Sequence, residues 1–173
     1  TKFNKLLYIF MELNLENIIS FLPFIFISIP SIRTLYYIIT NKLNYDLLKY
    51  TTGLIFTTLS IQALKQIPYP KSFHNYTMRP DGASGCDYLS IKGLCDKSTP
   101  GMPSGHMGTT SFFIVYNFLY LIEKHSQYKI PLVIFSWILI AMMGWARYKK
   151  KCHNIYQILI GTLYGGGLGY LLF

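Results

Sequence analysis

Residues 154–173, NIYQILIGTLYGGGLGYLLF, decide the reading of the fold. The stretch carries no charged side chain, and its length is what a helix needs to cross the hydrocarbon core of a bilayer. Gly161, Gly165 and Gly169 recur at every fourth position. That small-xxx-small stripe lets a neighbouring helix approach almost backbone to backbone. The stretch therefore reads as a spanning helix packed tightly on another helix.

Four more uncharged runs precede it. Asn17 to Ile32 extends past Arg33 to about Thr40, with Pro23 and Pro30 inside it as expected kinks. Tyr50 to Leu64 is bracketed by Lys49 and Lys65, long side chains able to reach toward the headgroups. Met107 to Ile122 and Ile130 to Ala146 complete the set. The fold class expected is all-α: a polytopic helical membrane bundle of about five transmembrane helices. Residues 1–16 form an N-terminal segment with an interfacial stretch at Leu6 to Leu13, and residues 17–173 form one membrane-embedded domain.

The composition agrees. Of 173 residues, 51% are hydrophobic, 17% aromatic and only 13% charged, and mean hydropathy is +0.31. Such a chain is neither disordered, nor a coiled coil, nor a small disulfide scaffold, and it is too apolar for an ordinary soluble enzyme. The net charge of +9 would suggest nucleic acid in a soluble domain. Here the cations lie between apolar runs, which suits anionic headgroups or a phosphorylated substrate and excludes a nucleic-acid role. A channel or transporter is disfavoured because no acid or Lys sits in the middle of a span.

One connection differs from the rest. Residues 68–103 form a long polar, proline-rich loop holding two of the three cysteines and three of the seven acids. Long loops in compact proteins are commonly functional. With five spans, this loop, the end of the second span, the start of the third, the end of the fourth and the start of the fifth share one face. That face gathers Lys65, Lys71, Arg79, Ser104, His106, Arg147 and His153. Two histidines with several fixed cations and few acids make a poor metal cage and a good cradle for phosphate. No metal or other cofactor is expected.

Within this set, Pro103-Ser104-Gly105-His106 stands directly before an apolar run. Ser104 can cap the helix there, and Gly105 lets an anion approach the free backbone N–H groups at its start. Gln157 follows His153 by one helical turn, the spacing that fixes an imidazole tautomer.

These residues resemble the type-2 phosphatidic acid phosphatase superfamily of integral-membrane lipid phosphatases. That family carries Lys, six residues, Arg-Pro; then Pro-Ser-Gly-His; then Ser-Arg, five residues, His, three residues, Asp. Arg79-Pro80 matches the end of the first motif, Pro103 to His106 the whole of the second, and Arg147 with His153 the third in identity and spacing. Three positions depart from the pattern. Ala146 replaces Ser, Gln157 replaces Asp, and the first motif's Lys is out of register, leaving Lys65 at a helix end and Lys71 in the loop as candidates. Gly101-Met102-Pro103-Ser104 and the His153–Gln157 pair are similar to the dolichyl-diphosphatase-like branch.

The resemblance implies a metal-independent phosphatase acting on a polyprenyl diphosphate through a phosphohistidine. His153 is then the nucleophile, His106 the general acid and base, and Gln157 the orienting group. Lys65 or Lys71, Arg79, Ser104, Gly105 and Arg147 hold the phosphate. Phosphatidate or another lipid monophosphate is the alternative substrate, and a retired lipid-phosphate-binding protein the alternative class. The partners implied are the lipid phosphate and the bilayer. The family usually places its site on the lumenal or outer side, as in the endoplasmic reticulum or another endomembrane. A possible Cys86–Cys95 disulfide and the sequon Asn75-Tyr76-Thr77 fit that side, whereas the excess of Lys and Arg on this face points to the cytosol.

Overall fold

The computed structural model describes residues 15–83, 86, 99–124 and 126–173. Among these are six α-helices: α1 (Leu15–Ile39), α2 (Tyr45–Leu64), the short α3 (His74–Thr77), α4 (Gly105–Lys124), α5 (Lys129–Lys149) and α6 (Ile155–Leu171). The interfacial stretch expected at Leu6 to Leu13 lies outside the described residues, and Leu15 and Glu16 already belong to α1. The five long helices fall on the five uncharged runs. The all-α expectation therefore holds.

Helices α1 and α5 are long and apolar enough to cross a membrane by length and composition. Only 28% and 17% of their apolar windows are buried inside the protein. A soluble core helix would hide that surface. Here Ile32, Leu35, Ile134, Trp137 and Leu163 point outward, an apolar exterior that only lipid or another protein can cover. Helices α2, α4 and α6 carry more Thr and Gly, and Thr51, Gly53, Thr57, Thr109, Thr110, Gly161, Gly165 and Gly169 are buried. Helix α1 runs unbroken through Pro23 and Pro30, and both prolines are buried.

Helix α4 is central and packs on α1, α2, α5 and α6, most extensively on α6. The reason is the glycine stripe. A Cβ at Gly165 would collide with the backbone of Gly108, and one at Gly161 would sit 2.6 Å from the Ser104 carbonyl oxygen. One at Gly169 would stand 2.9 Å from the Phe112 carbonyl oxygen. The stripe thus sets how close the start of α6 comes to the start of α4.

Polar contacts tie the remaining helices, a device suited to an apolar surround. Thr34 meets Thr51 at 2.8 Å between α1 and α2, Thr58 meets Thr109 at 3.3 Å between α2 and α4, and Tyr164 Oη donates to Ser60 Oγ at 2.9 Å between α6 and α2. Phe26 stacks on Phe113 with ring centroids 3.9 Å apart. The first turns of α1 are stapled to the end of α5. Glu16 pairs with Lys149, and Asn17 Oδ1 accepts from Lys150 Nζ at 2.8 Å.

The long loop closes on itself. Met78 and Pro100 form an antiparallel bridge, and the Thr77 carbonyl accepts from Gly101 N and Met102 N at 2.8 and 3.2 Å. A disulfide joins Cys86 to Cys152. This corrects the expected Cys86–Cys95 pairing; Cys95 lies outside the described residues. The bond draws the loop onto the α5–α6 connection, next to His153.

Candidate active site

The site is built at one end of the bundle, where α6 begins. Asn154 caps α6: its Oδ1 accepts from Gln157 N at 3.0 Å, and Gln157 Oε1 accepts from Asn154 N at 3.3 Å, which completes a capping box. The sequence signal for this is Asn154 followed three residues later by Gln157, ahead of an apolar run. Gln157 therefore has a structural duty that its distance from His153 alone does not reveal.

It also holds the nucleophile candidate. His153 Nδ1 lies 3.1 Å from Gln157 Oε1. The other end of the amide is spent: Nε2 donates to the carbonyls of Tyr76 at 2.9 Å and Met78 at 2.7 Å. Carbonyls only accept, so the NH₂ must face them and the oxygen must face His153. The Nδ1 of His153 is then the protonated nitrogen, and Nε2 keeps its lone pair. Gly101 packs against the same amide with no room for a side chain: a Cβ would lie 2.8 Å from Gln157 Cδ.

His153 is 2% exposed. Burial, followed by the positive charges of Arg147, Arg79 and Lys65, holds its pKa well below the usual imidazole value, while the Gln157 hydrogen bond acts in the opposite sense. The ring is accordingly neutral at neutral pH, the form in which Nε2 can attack.

Arg79 Nη1 stands 3.5 Å from that Nε2. The guanidinium is oriented by Nη1 donating to the Cys152 carbonyl at 2.9 Å and Nε donating to Thr99 Oγ1 at 3.0 Å. Arg147, fully buried in the last turn of α5, donates from Nη1 to Ser20 Oγ at 3.0 Å and from Nη2 to the Cys86 carbonyl at 2.5 Å. Thr99, Cys152, Ser20 and Cys86 were not among the site residues expected from sequence, Cys86 being named there only for a disulfide, and the carbonyls of Tyr76 and Met78 carry no side-chain signal at all.

At the start of α4, Ser104 does not cap the helix through its side chain as expected. Its carbonyl accepts from Gly108 N at 3.0 Å and its N–H donates to the Gln157 carbonyl at 3.1 Å, while Oγ, fully buried, has no hydrogen-bond partner among the described residues. His106 is buried on the same turn, within electrostatic reach of His153, Arg147 and Lys65. Lys65 Nζ would lie 3.7 Å from a Cβ on Gly105, which places the lysine head against the start of α4. Lys71 instead lies exposed in the 3₁₀ turn Lys71–Phe73. The structure thus gathers His153, His106, Gln157, Lys65, Arg79, Ser104, Gly105 and Arg147, and leaves Lys71 outside. Among the described residues no three His, Cys, Asp or Glu side chains form a metal-holding group. A cavity of about 710 Å³ opens beside His153, lined in part by Trp145, Tyr148, Lys149, Lys151 and Asp81.

A neutral, oriented imidazole beside two buried arginines and a lysine is the equipment of a phosphoryl-transfer site. The sequence profile of the PAP2 superfamily matches residues 33–173, and the chain belongs to that superfamily. No individual curated protein and no solved structure matches it. The family and the apolar helices together make it a membrane phosphatase acting on lipid phosphates.

Proposed function

We propose that the protein removes the terminal phosphate of a polyprenyl diphosphate through a phosphohistidine on His153. The observation that carries this reading is the Gln157 amide, whose fixed polarity leaves His153 Nε2 unprotonated and facing the Arg79 Nη1 donor at 3.5 Å. Nε2 attacks the terminal phosphorus as the bond to the bridging oxygen breaks. His106 gives that oxygen its proton, and polyprenyl monophosphate leaves. Water then attacks the phosphohistidine, His106 takes its proton, and inorganic phosphate is released with both rings restored. General acid–base work of this kind contributes roughly 10²–10⁴ in rate.

Arg79, Arg147, Lys65, the Ser104 hydroxyl and the Gly105 N–H hold the phosphate oxygens as charge moves toward the leaving group. No step needs a metal, because these groups supply the positive field. The diphosphate assignment is supported by Gly101-Met102-Pro103-Ser104 and by Gln157, both similar to the dolichyl-diphosphatase-like branch. It is also supported by the cavity beside His153, where Lys149 and Lys151 offer charge to a second phosphate and Trp145 and Tyr148 offer apolar surface to the chain.

All five long helices cross the bilayer in this reading, with the site on the lumenal or outer face of an endomembrane. A disulfide at the rim of the site supports an oxidising compartment. The exposed Asn75 of the sequon lies on the same face.

The test is phosphate release by the purified, detergent-solubilised protein, with a chelator present and His153→Ala as control. Polyprenyl diphosphate, polyprenyl monophosphate and phosphatidate are offered in turn. Chelator-resistant release that favours the diphosphate and vanishes in the variant is expected. Preference for phosphatidate or the monophosphate overturns the substrate assignment. No release from any lipid by folded protein moves the reading to a retired lipid-phosphate binder.

A further inference from the structure

We infer that the Cys86–Cys152 disulfide is a positioning element of the phosphate site, holding Arg79 and Arg147 through the carbonyls of its own two residues. The Cys152 carbonyl takes Arg79 Nη1 at 2.9 Å, and the Cys86 carbonyl takes Arg147 Nη2 at 2.5 Å. Each half-cystine thus supplies a carbonyl acceptor to one of the two buried guanidiniums, beside Thr99 for Arg79 and Ser20 for Arg147. The bond between them fixes one acceptor relative to the other.

The arrangement is knitted further. Cys152 N donates to the Arg147 carbonyl at 3.0 Å, so the same half-cystine is hydrogen-bonded to both arginines, and it directly precedes His153. Both half-cystines are buried, in a small cluster completed by Ala83. Arg79 and Arg147 come from distant parts of the chain, a loop and the end of α5. Cys86 sits in the long loop, and the covalent bond keeps its carbonyl at the Arg147 fork.

Carbonyl acceptors suit this task. A backbone carbonyl orients a guanidinium through a directional hydrogen bond and carries no full charge, so the cation keeps its field for a phosphate. Hydrogen-bond partners that orient metal ligands govern about 10–100-fold in affinity or rate, and a loss on that scale is expected when these carbonyls are displaced.

The inference rests on the phosphatase reading only in calling the bound anion a substrate phosphate. Its test therefore uses binding as well as turnover. The full chain in detergent micelles is compared before and after dithiothreitol, which cyclises to its own disulfide as Cys86 and Cys152 become two thiols. Peptide mapping without reduction identifies the linkage, and circular dichroism sets a temperature at which both forms keep their helix content. Binding of inorganic phosphate is measured by calorimetry and lipid turnover by phosphate release.

The expected result is a Cys86–Cys152 linkage and a rise of about tenfold or more on reduction in both the phosphate Kd and KM. The double variant Cys86→Ser/Cys152→Ser reproduces the reduced values and ignores dithiothreitol. Cys95→Ser matches the wild type and keeps its sensitivity to dithiothreitol. A Cys86–Cys95 linkage overturns the inference. So does unchanged phosphate binding by the reduced, folded protein, or a reduced protein that simply loses its helices. Redox-dependent phosphate binding without release from any lipid leaves the inference standing and defeats the phosphatase reading instead.

Discussion

The Gln157 side chain accepts from His153 Nδ1 at 3.1 Å with its oxygen while its nitrogen donates to the Tyr76 and Met78 carbonyls at 2.9 and 2.7 Å. One amide therefore joins the nucleophile candidate to the loop that covers it. A carboxylate could orient the ring equally well, but its second oxygen would face two carbonyl oxygens in a buried place. This gives a physical reason for Gln where the related motif has Asp: at this position the loop demands a donor.

Substitutions at Gln157 follow from that geometry. Gln157→Ala loses the ring's acceptor, and kcat is expected to fall about 10–100-fold. Gln157→Glu keeps the shape but sets charge against the two carbonyls, and it should cost about 1–3 kcal/mol of stability as well as activity. Thermal unfolding and steady-state rates on both variants check this. A Gln157→Glu protein with wild-type melting temperature and rate would falsify the account of the amide.

The glycine stripe makes a sharper contrast. Gly165→Ala forces its methyl into the Gly108 backbone, and Gly161→Ala presses on the Ser104 carbonyl. Each should push α4 from α6, cost about 1–3 kcal/mol and separate His106 from His153. Gly167 has nothing within 4 Å of its Cβ position, so Gly167→Ala should leave activity intact and melting temperature unchanged or higher. Equal losses at all three positions would overturn the close-packing account of the stripe, since Gly167 has open space at its Cβ and helix propensity favours Ala there.

Much of this was legible in the chain itself. The five uncharged runs located the five long helices, because an apolar exterior leaves few ways to place a charge along them. The short motifs located His106, His153, Arg79 and Arg147, because fixed cations and imidazoles at helix ends have few other uses. The disulfide differs from the expected pair because spacing along a chain does not encode connectivity, and Cys86 and Cys152 are separated by 66 positions. The carbonyls of Tyr76 and Met78 were invisible for a different reason: backbone acceptors leave no mark in a sequence. The capping duty of Gln157 was readable from its place three residues after Asn154 and was overlooked in favour of its spacing from His153.

The two lysine candidates now separate. Lys65 Nζ lies against the start of α4 and its charge acts on His153, whereas Lys71 is exposed in a 3₁₀ turn. Lys65→Ala is expected to reduce kcat/KM by about 10²-fold, the scale of losing one donor to a developing charge. Lys71→Ala should stay within about twofold, as surface substitutions usually do. The reverse order of effects would return the role to Lys71.

Ser104 offers a trade between stability and binding. A fully buried hydroxyl with no partner among the described residues costs the folded state free energy, and such groups commonly serve function. Ser104→Ala removes that cost, so the melting temperature should hold or rise by a few degrees while KM for the lipid phosphate increases. A lower melting temperature with unchanged KM would instead mark the hydroxyl as structural.

The titration of His153 carries a sign that can be checked. Burial and the charges of Arg147, Arg79 and Lys65 lower its folded pKa, so between that value and the unfolded value of about 6.5 the unfolded chain binds the extra proton. Stability is therefore full above about 6.5 and falls as the pH drops through that value toward the folded pKa. His153→Gln, which cannot titrate, should flatten this part of the stability curve. Gln157→Ala should move the folded pKa lower still, because its hydrogen bond is the contribution that raises it; Arg79→Gln should move it up by removing a nearby positive charge. Ring-carbon NMR of selectively labelled histidine follows the wild type, Gln157→Ala and Arg79→Gln, with His153→Gln assigning the signal by its loss. A His153 signal titrating well above neutral pH would mean that the ring is charged there, and an attacking Nε2 could not then be sustained.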